Sequence, residues 1–445
     1  MKRILLVLVL AAPLHVFTQI LPAGTSLEEA RQTAASYNKM IALLVESATC
    51  ADCNMAAEKA LEAPALQQYL ADSFVVLRIG VDHADRDEVK RSYNYQEGNI
   101  VLFLDEQGTL IHRMSRSTTR YQDYIAEGKT ALLKKPEGEK MRALEKTGLE
   151  GKLSNDELYA LISARRALRM PTDRLLALYV SRLSKDSLRS ATVLQGIARA
   201  CPILGSGADK ALRHNQELFT AAWYALPLSE RQEINRQVIA KTLTLAVGQR
   251  NDQLAEQVAD FSKAIHDDRE AGEQAYTYNR MEYYRRTANT KKFVVLAATY
   301  YDQYYMTRNP SEVKEKDSLK RLALLKTIPG DTIKTGQRFT VRKTVSVSGE
   351  AQEICNVLTN GVRTVYEMTN DTRYLRKALD WVAHANSFFD NPDTMDLWAR
   401  LLYKVEGNTT RAIELEEKAI ALREERGLDA RKYQETLKKL KAGKL

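Results

Sequence analysis

Apolar residues in the first third of the chain recur at two alternating periods, and the order in which the periods change predicts an architecture. Leu27, Ala30, Ala34 and Tyr37, three and four apart, predict a helix over 26–38, and the unbroken run Met40-Ile41-Ala42-Leu43-Leu44-Val45 predicts a buried strand. Cys50-Ala51-Asp52-Cys53 follows, then helix-forming sequence over 54–62 that stops at Ala63-Pro64, then a helical turn or two over 66–70. Residues 74–81 read as a second buried strand, 85–93 as a helix and 100–104 as a third strand. Asp105-Glu106-Gln107-Gly108 is a turn into a hairpin partner at 109–112, and 118–133 closes the segment as a helix. Strands separated by helices require parallel crossovers, whereas strands joined by a short turn pair antiparallel. The expected head is therefore an α/β unit with a mixed sheet covered on both faces.

Beyond the head the pattern is almost wholly helical. Lys134-Lys135-Pro136-Glu137-Gly138-Glu139, charged and bearing Pro and Gly, reads as a linker, taken over 136–153; this places the head at 20–135 and a helical domain at 154–445. Ser154-Asn155-Asp156-Glu157 has the form of a capping box ahead of Leu158, Leu161 and Ile162. Helical periodicity then runs to residue 441, broken at 328–348, where Pro329-Gly330 and the alternating Phe339 and Val341 point to a loop or small hairpin. Near the C-terminus Ala378 and Ala385 recur 34 residues later as Ala412 and Ala419, with Tyr403 and Gly407 ahead of the second copy. Small residues at such positions let paired helices approach closely, and the stretch 370–425 resembles degenerate tetratricopeptide repeats. An irregular helical bundle is the alternative.

The N-terminus changes the setting. Lys2-Arg3 precedes an apolar stretch, Ile4 to Phe17, interrupted only by Pro13 and His15, and a polar chain follows Thr18-Gln19. The stretch is shorter than the ~20 residues of a membrane-spanning helix, so residues 1–19 read as a cleaved export signal, with an uncleaved anchor as the alternative. A periplasmic or secreted protein is expected, touching a membrane only through that segment before cleavage.

Composition supports ordinary folded cores: of 445 residues, 44% are hydrophobic and 28% charged, which excludes disorder throughout. The formal net charge of +9 falls to +7 without Lys2 and Arg3; residues 20–135 hold 13 basic and 16 acidic side chains, so the surplus lies in the helical part. No nucleic-acid motif interleaves those charges, and they read as a solvated helical surface with some affinity for acidic partners.

Four cysteines are present, and only Cys50 and Cys53 are close together. Zinc ribbons use the same spacing but need four ligands, and no second cysteine pair or His-x-x-x-His completes a site, so no metal and no cofactor is expected. The pair stands between a buried strand and a helix. Cys50 is then placed at the helix N-terminus, where unpaired N–H groups favour a thiolate, and Cys53 lies one turn on. The roles that follow are attack by Cys50 and resolution by Cys53. Asp52 opposes the thiolate, while Glu46 serves as a proton acceptor if its side chain turns inward. A structural or regulatory disulfide and unpaired or metal-bound thiols are the other readings.

Strand, Cys-x-x-Cys, helix, strand, helix, hairpin, helix resembles the thioredoxin fold. The segment 27–133 is more closely similar to exported bacterial thioredoxin-like proteins in Cys50-Ala51-Asp52-Cys53-Asn54-Met55, Phe74-Val75-Val76-Leu77 and Phe103-Leu104-Asp105-Glu106-Gln107-Gly108. The resemblance implies dithiol–disulfide exchange on protein thiols or disulfides, with Cys50 and Cys53 as the redox pair. Three positions depart from the family pattern. Thr49 replaces the aromatic residue before the first cysteine and Asn99 replaces the cis-proline, both at the substrate-docking surface; Leu44 replaces a buried acid. A trans peptide is expected at Asn99. These departures favour the rival reading, a redox-inactive scaffold that acts as a protein-interaction module, with the helical arm binding a partner.

Eight tyrosines, among them Tyr276, Tyr283, Tyr300 and Tyr301, crowd two adjacent predicted helices with Arg280, Arg285 and Lys292 interleaved. They form either a groove for a peptide or glycan or interhelix packing. Cys201 and Cys355 read as buried small hydrophobes, and no nucleotide-binding or serine-hydrolase motif offers another enzyme.

Overall fold

The computed structural model describes residues 20–48, 50–95, 98–149, 151–327, 331–335, 338–342 and 349–445. The proposed export signal and Thr49 lie outside them.

Helix α1 (Leu27–Tyr37) begins at a full capping box, with the Ser26 hydroxyl accepting from the Glu29 N–H and the Glu29 carboxylate accepting from the Ser26 N–H. Strand β1 (Met40–Val45) follows, then α2 (Ala51–Leu61), α3 (Pro64–Ser73), β2 (Phe74–Ile79), α4 (Arg86–Ser92), β3 (Ile100–Leu104), β4 (Leu110–Met114) and α5 (Tyr121–Leu149). The sheet order is β2-β1-β3-β4. β1 is parallel to β2, from Met40 opposite Phe74 to Val45 opposite Ile79. It is antiparallel to β3, from Ile41 opposite Leu104 to Val45 opposite Ile100. β3 and β4 form the hairpin expected around Asp105, whose Oδ1 accepts from the Gln107 and Thr109 N–H groups.

The mixed sheet stands as expected, but its second helical connection does not give a parallel strand. Residues 80–99 leave the end of β2 and return at the same end of the sheet, so β3 runs opposite to β1 and β2. The link passes through only one seven-residue helix, α4, and does not travel back along the sheet as a crossover must. The strand tops of β1 and β2 and the foot of β3 therefore share one edge.

Alternation divides the core in two. Ile41, Leu43, Val45, Val75, Leu77 and Ile79 face α1 and Val89 of α4, while Met40, Ala42, Phe74, Val76 and Phe103 face α2, α3 and α5. Helix α5 runs on to Leu149 with Pro136 inside it, so residues 136–149 of the stretch read as a linker are helical. Gly138 sits so close to Ile111 of β4 that a Cβ there would collide with the Ile111 side chain. Arg142 pairs with buried Asp105 at 2.9 Å, and Lys135 with Glu106 at 3.2 Å. These tertiary contacts hold a helix that Pro and Gly weaken locally.

Helices α6 (Asn155–Ala167), α7 (Asp173–Ser181), α8 (Ala191–Arg199), α9 (Gly207–Arg213) and α10 (Gln216–Tyr224) come next. Their Leu158, Leu161, Ile162, Leu194 and Ile197 join the same apolar cluster as the first sheet face. The first compact unit runs to Ile234.

The second unit, Asn235–Leu445, begins within α11 (Leu228–Gln249) and continues through α12 (Asp252–Ala264), α13 (Arg269–Arg286), α14 (Thr290–Tyr304) and α15 (Pro310–Thr327). Of the loop or small hairpin expected there, the hairpin is found, β5 (Asp331–Thr335) paired antiparallel with β6 (Arg338–Arg342). Helices α16 (Glu350–Met368), α17 (Thr372–Phe388), α18 (Pro392–Leu401), α19 (Thr409–Glu425) and α20 (Arg431–Lys441) complete it. Neighbours pack in sequence, α16 on α17, α17 on α18, α18 on α19 and α19 on α20. Ala378 and Ala385 of α17 and Ala412 and Ala419 of α19 are all fully buried, as their spacing predicts. No helix among the described residues is long and apolar enough to cross a membrane.

Candidate functional site

β1 ends at Val45, and within six residues the chain must turn into α2. That turn carries the cysteines. Cys50 is the N-cap of α2, with φ −133° and ψ 85°, and its Sγ accepts from the Cys53 N–H at 3.2 Å. Cys50 and Cys53 are joined as a disulfide across Cα atoms 5.2 Å apart. Both are half-buried, while Asp52 is exposed in the first turn of the helix. The Cys53 N–H on Cys50 Sγ acts at bonding distance. The expected position of the pair, after a strand and at the start of a helix, is the one observed.

The turn is fastened from several sides. Buried Ser47 donates its N–H to Asn54 Oδ1 at 2.8 Å and accepts from Asn54 Nδ2 at 2.9 Å through its carbonyl. The Ser47 hydroxyl accepts from the Cys50 N–H at 3.1 Å. The Glu46 N–H donates to the Ile79 carbonyl, and the Glu46 carbonyl accepts from Arg86 at 3.0 Å and from the Tyr95 hydroxyl at 3.3 Å. Because β3 starts at the same sheet edge, Asn99 reaches the site and donates from Nδ2 to Asn54 Oδ1 at 3.2 Å.

Of the expected docking and relay residues, Asn99 is thus in the network next to the cysteine turn. No peptide bond among the described residues is cis. Glu46 is half-buried and lines a narrow cleft with Leu44, Asn54, Asn99, Arg78 and Tyr124; the cysteines do not line it. Across that cleft Arg78 pairs with Glu58 at 2.8 Å. Apolar period and cysteine spacing do not point to Ser47, Asn54, Arg86 or Tyr95. Asn54 lies inside the quoted Cys-x-x-Cys segment, and the preference of Ser and Asn side chains for nearby backbone groups is the signal that finds it.

Among the described residues no cluster of three His, Cys, Asp or Glu side chains is arranged to hold a metal ion. Cys201 and Cys355 are buried, and burial pushes the Cys355 thiol above its ordinary range. The tyrosine cluster on α13 and α14 is mainly packing. Tyr283, Tyr284, Tyr300, Tyr301 and Tyr304 are buried, and Tyr301 meets Trp381 of α17 with ring centroids 5.0 Å apart. Asp302 accepts from Trp381 Nε1 at 2.7 Å.

No family model matches the chain, and no curated protein matches it.

Proposed function

We propose that this protein is an exported, thioredoxin-like thiol–disulfide exchange protein, acting on extracytoplasmic proteins through Cys50 and Cys53. The observation that carries the reading is a disulfide whose first cysteine caps a helix at the end of a central strand and accepts the N–H of the second. In the dithiol form, the Cys50 thiolate attacks one sulfur of a substrate disulfide. The substrate S–S bond breaks, and the departing sulfur takes up a proton as a thiol. Cys53, after losing its proton to solvent, attacks Cys50 Sγ, closes the internal disulfide and releases the second substrate sulfur, which is protonated in turn. The substrate gains two electrons and two protons, and the pair loses them; the reverse sequence oxidises a substrate dithiol. Export is supported by Lys2-Arg3 and the apolar run to Phe17, and partner binding by the arm is supported by the tetratricopeptide-like spacing of its alanines.

Substituting Cys53→Ala is expected to trap a mixed disulfide on Cys50, whereas Cys50→Ala is not. Equal trapping by the two variants overturns the assigned roles. A second reading, a redox-inactive scaffold, is favoured by Asn99, whose side chain is engaged with Asn54. Insulin reduction with dithiothreitol separates the two: the exchange reading expects a faster rate with wild type than with the Cys50→Ser/Cys53→Ser double variant, and the scaffold reading expects equal rates.

A further inference from the structure

We infer that Asn54 is a positioning residue that holds the Cys50 sulfur on the Cys53 N–H and thereby sets how readily the pair accepts electrons. The inference rests on the exchange reading for its biological use, but its physics does not depend on the substrate.

Four hydrogen bonds form a closed loop around the turn. The Asn54 carboxamide takes both the N–H and the carbonyl of Ser47, as a neighbouring strand would. The Ser47 hydroxyl takes the Cys50 N–H, and the Asn54 N–H donates to the Cys50 carbonyl at 3.2 Å. Asn54 is thus anchored by the helix it belongs to and grips the last turn before the nucleophile. Asn99, just before β3 and 45 residues away in sequence, adds a third bond to the Asn54 carboxamide. Ser47 is only 2% exposed, so water is a poor substitute for a carboxamide there.

The consequence is electrostatic. When the disulfide opens, negative charge collects on Cys50 Sγ. The Cys53 N–H and the first turn of α2 stabilise it only while the sulfur stays in the cap position. Stabilising that thiolate stabilises the dithiol state, which makes the pair more oxidising. Without the Asn54 carboxamide the turn relaxes, the N–H no longer points at the sulfur, and the dithiol state loses that advantage.

The test is made in the full chain by titrating Cys50 through the pH dependence of its alkylation and by equilibrating the pair with glutathione. Asn54→Ala is expected to move the Cys50 titration to higher pH. It is also expected to shift the equilibrium with glutathione about tenfold toward the disulfide, equivalent to ~30 mV for a two-electron couple. Ser47→Ala, which removes only the hydroxyl, is expected to shift both in the same direction by less, and it decides the matter if Asn54→Ala does not fold. Variants that lower the melting temperature while leaving titration and equilibrium unchanged overturn the inference and leave Asn54 a purely structural residue. Insulin reduction by wild type keeps the two proposals apart. An inactive wild type with a shifted Asn54→Ala titration removes the exchange reading alone, and an active wild type with an unmoved titration removes this inference alone.

Discussion

A cysteine at an N-cap has no ordinary capping oxygen, and here its sulfur takes that place by accepting the Cys53 N–H. The cap and the redox chemistry therefore use one contact. That much follows from Cys-x-x-Cys placed after an apolar run and before helix-forming residues. A second residue with unusual surroundings is Glu416 of α19, which is fully buried beside Asp396 of α18. Burial first, and then the Asp396 charge, push its carboxyl up to about 8, with Arg400 and Lys432 opposing the rise. A carboxyl that holds its proton more tightly folded than unfolded makes the fold bind more protons between about pH 4.5 and 8. Stability is then lost as pH rises through that window and levels off above it. Glu416→Gln is expected to flatten the pH dependence of thermal unfolding and, at pH 8, to add on the order of 1–2 kcal/mol. Unfolding curves of the two proteins that stay parallel from pH 5 to 8 would contradict this.

At the scale of elements, the helices and strands of the head follow the apolar period closely, because each depends on contacts within a turn or across a pleat. α5 does not: Lys134 to Glu139 has the composition of a break, and the helix continues because Gly138 and Arg142 meet β4 and Asp105. The tyrosine-rich pair α13 and α14 carried two readings, a ligand groove or packing, and burial decides for packing. One glycine marks how tight that packing is. Gly361 of α16 lies against the Tyr301 ring, and a Cβ there would collide with the ring and its hydroxyl. An exposed helical Gly→Ala change stabilises by up to ~1 kcal/mol, but Gly361→Ala is expected to cost about 1–3 kcal/mol by overpacking. Chemical denaturation read by circular dichroism checks the sign.

For the whole molecule, one face of the sheet shares its apolar cluster with α6–α10, within a compact unit that reaches Ile234. A fragment of residues 20–249, which keeps α11 intact, is expected to unfold in one cooperative transition. A fragment of residues 20–153 is expected to bind a hydrophobic dye and lose near-ultraviolet dichroism, because Leu158, Leu161 and Ile162 are then absent from its core. Equal cooperativity of the two would show that the head folds without α6–α10. The amino-acid order by itself determined helix α1, the buried strands, the hairpin at Asp105, the cysteine pair at a strand–helix junction and the helical remainder. All of these arise between residues a few positions apart, where period and capping act. Only the tertiary structure decided the direction of β3, the persistence of α5, the meeting of Asn54 with Asn99 and the sharing of one sheet face with α6–α10. Each of those depends on which distant surface covers which, and no local pattern of side chains carries that information.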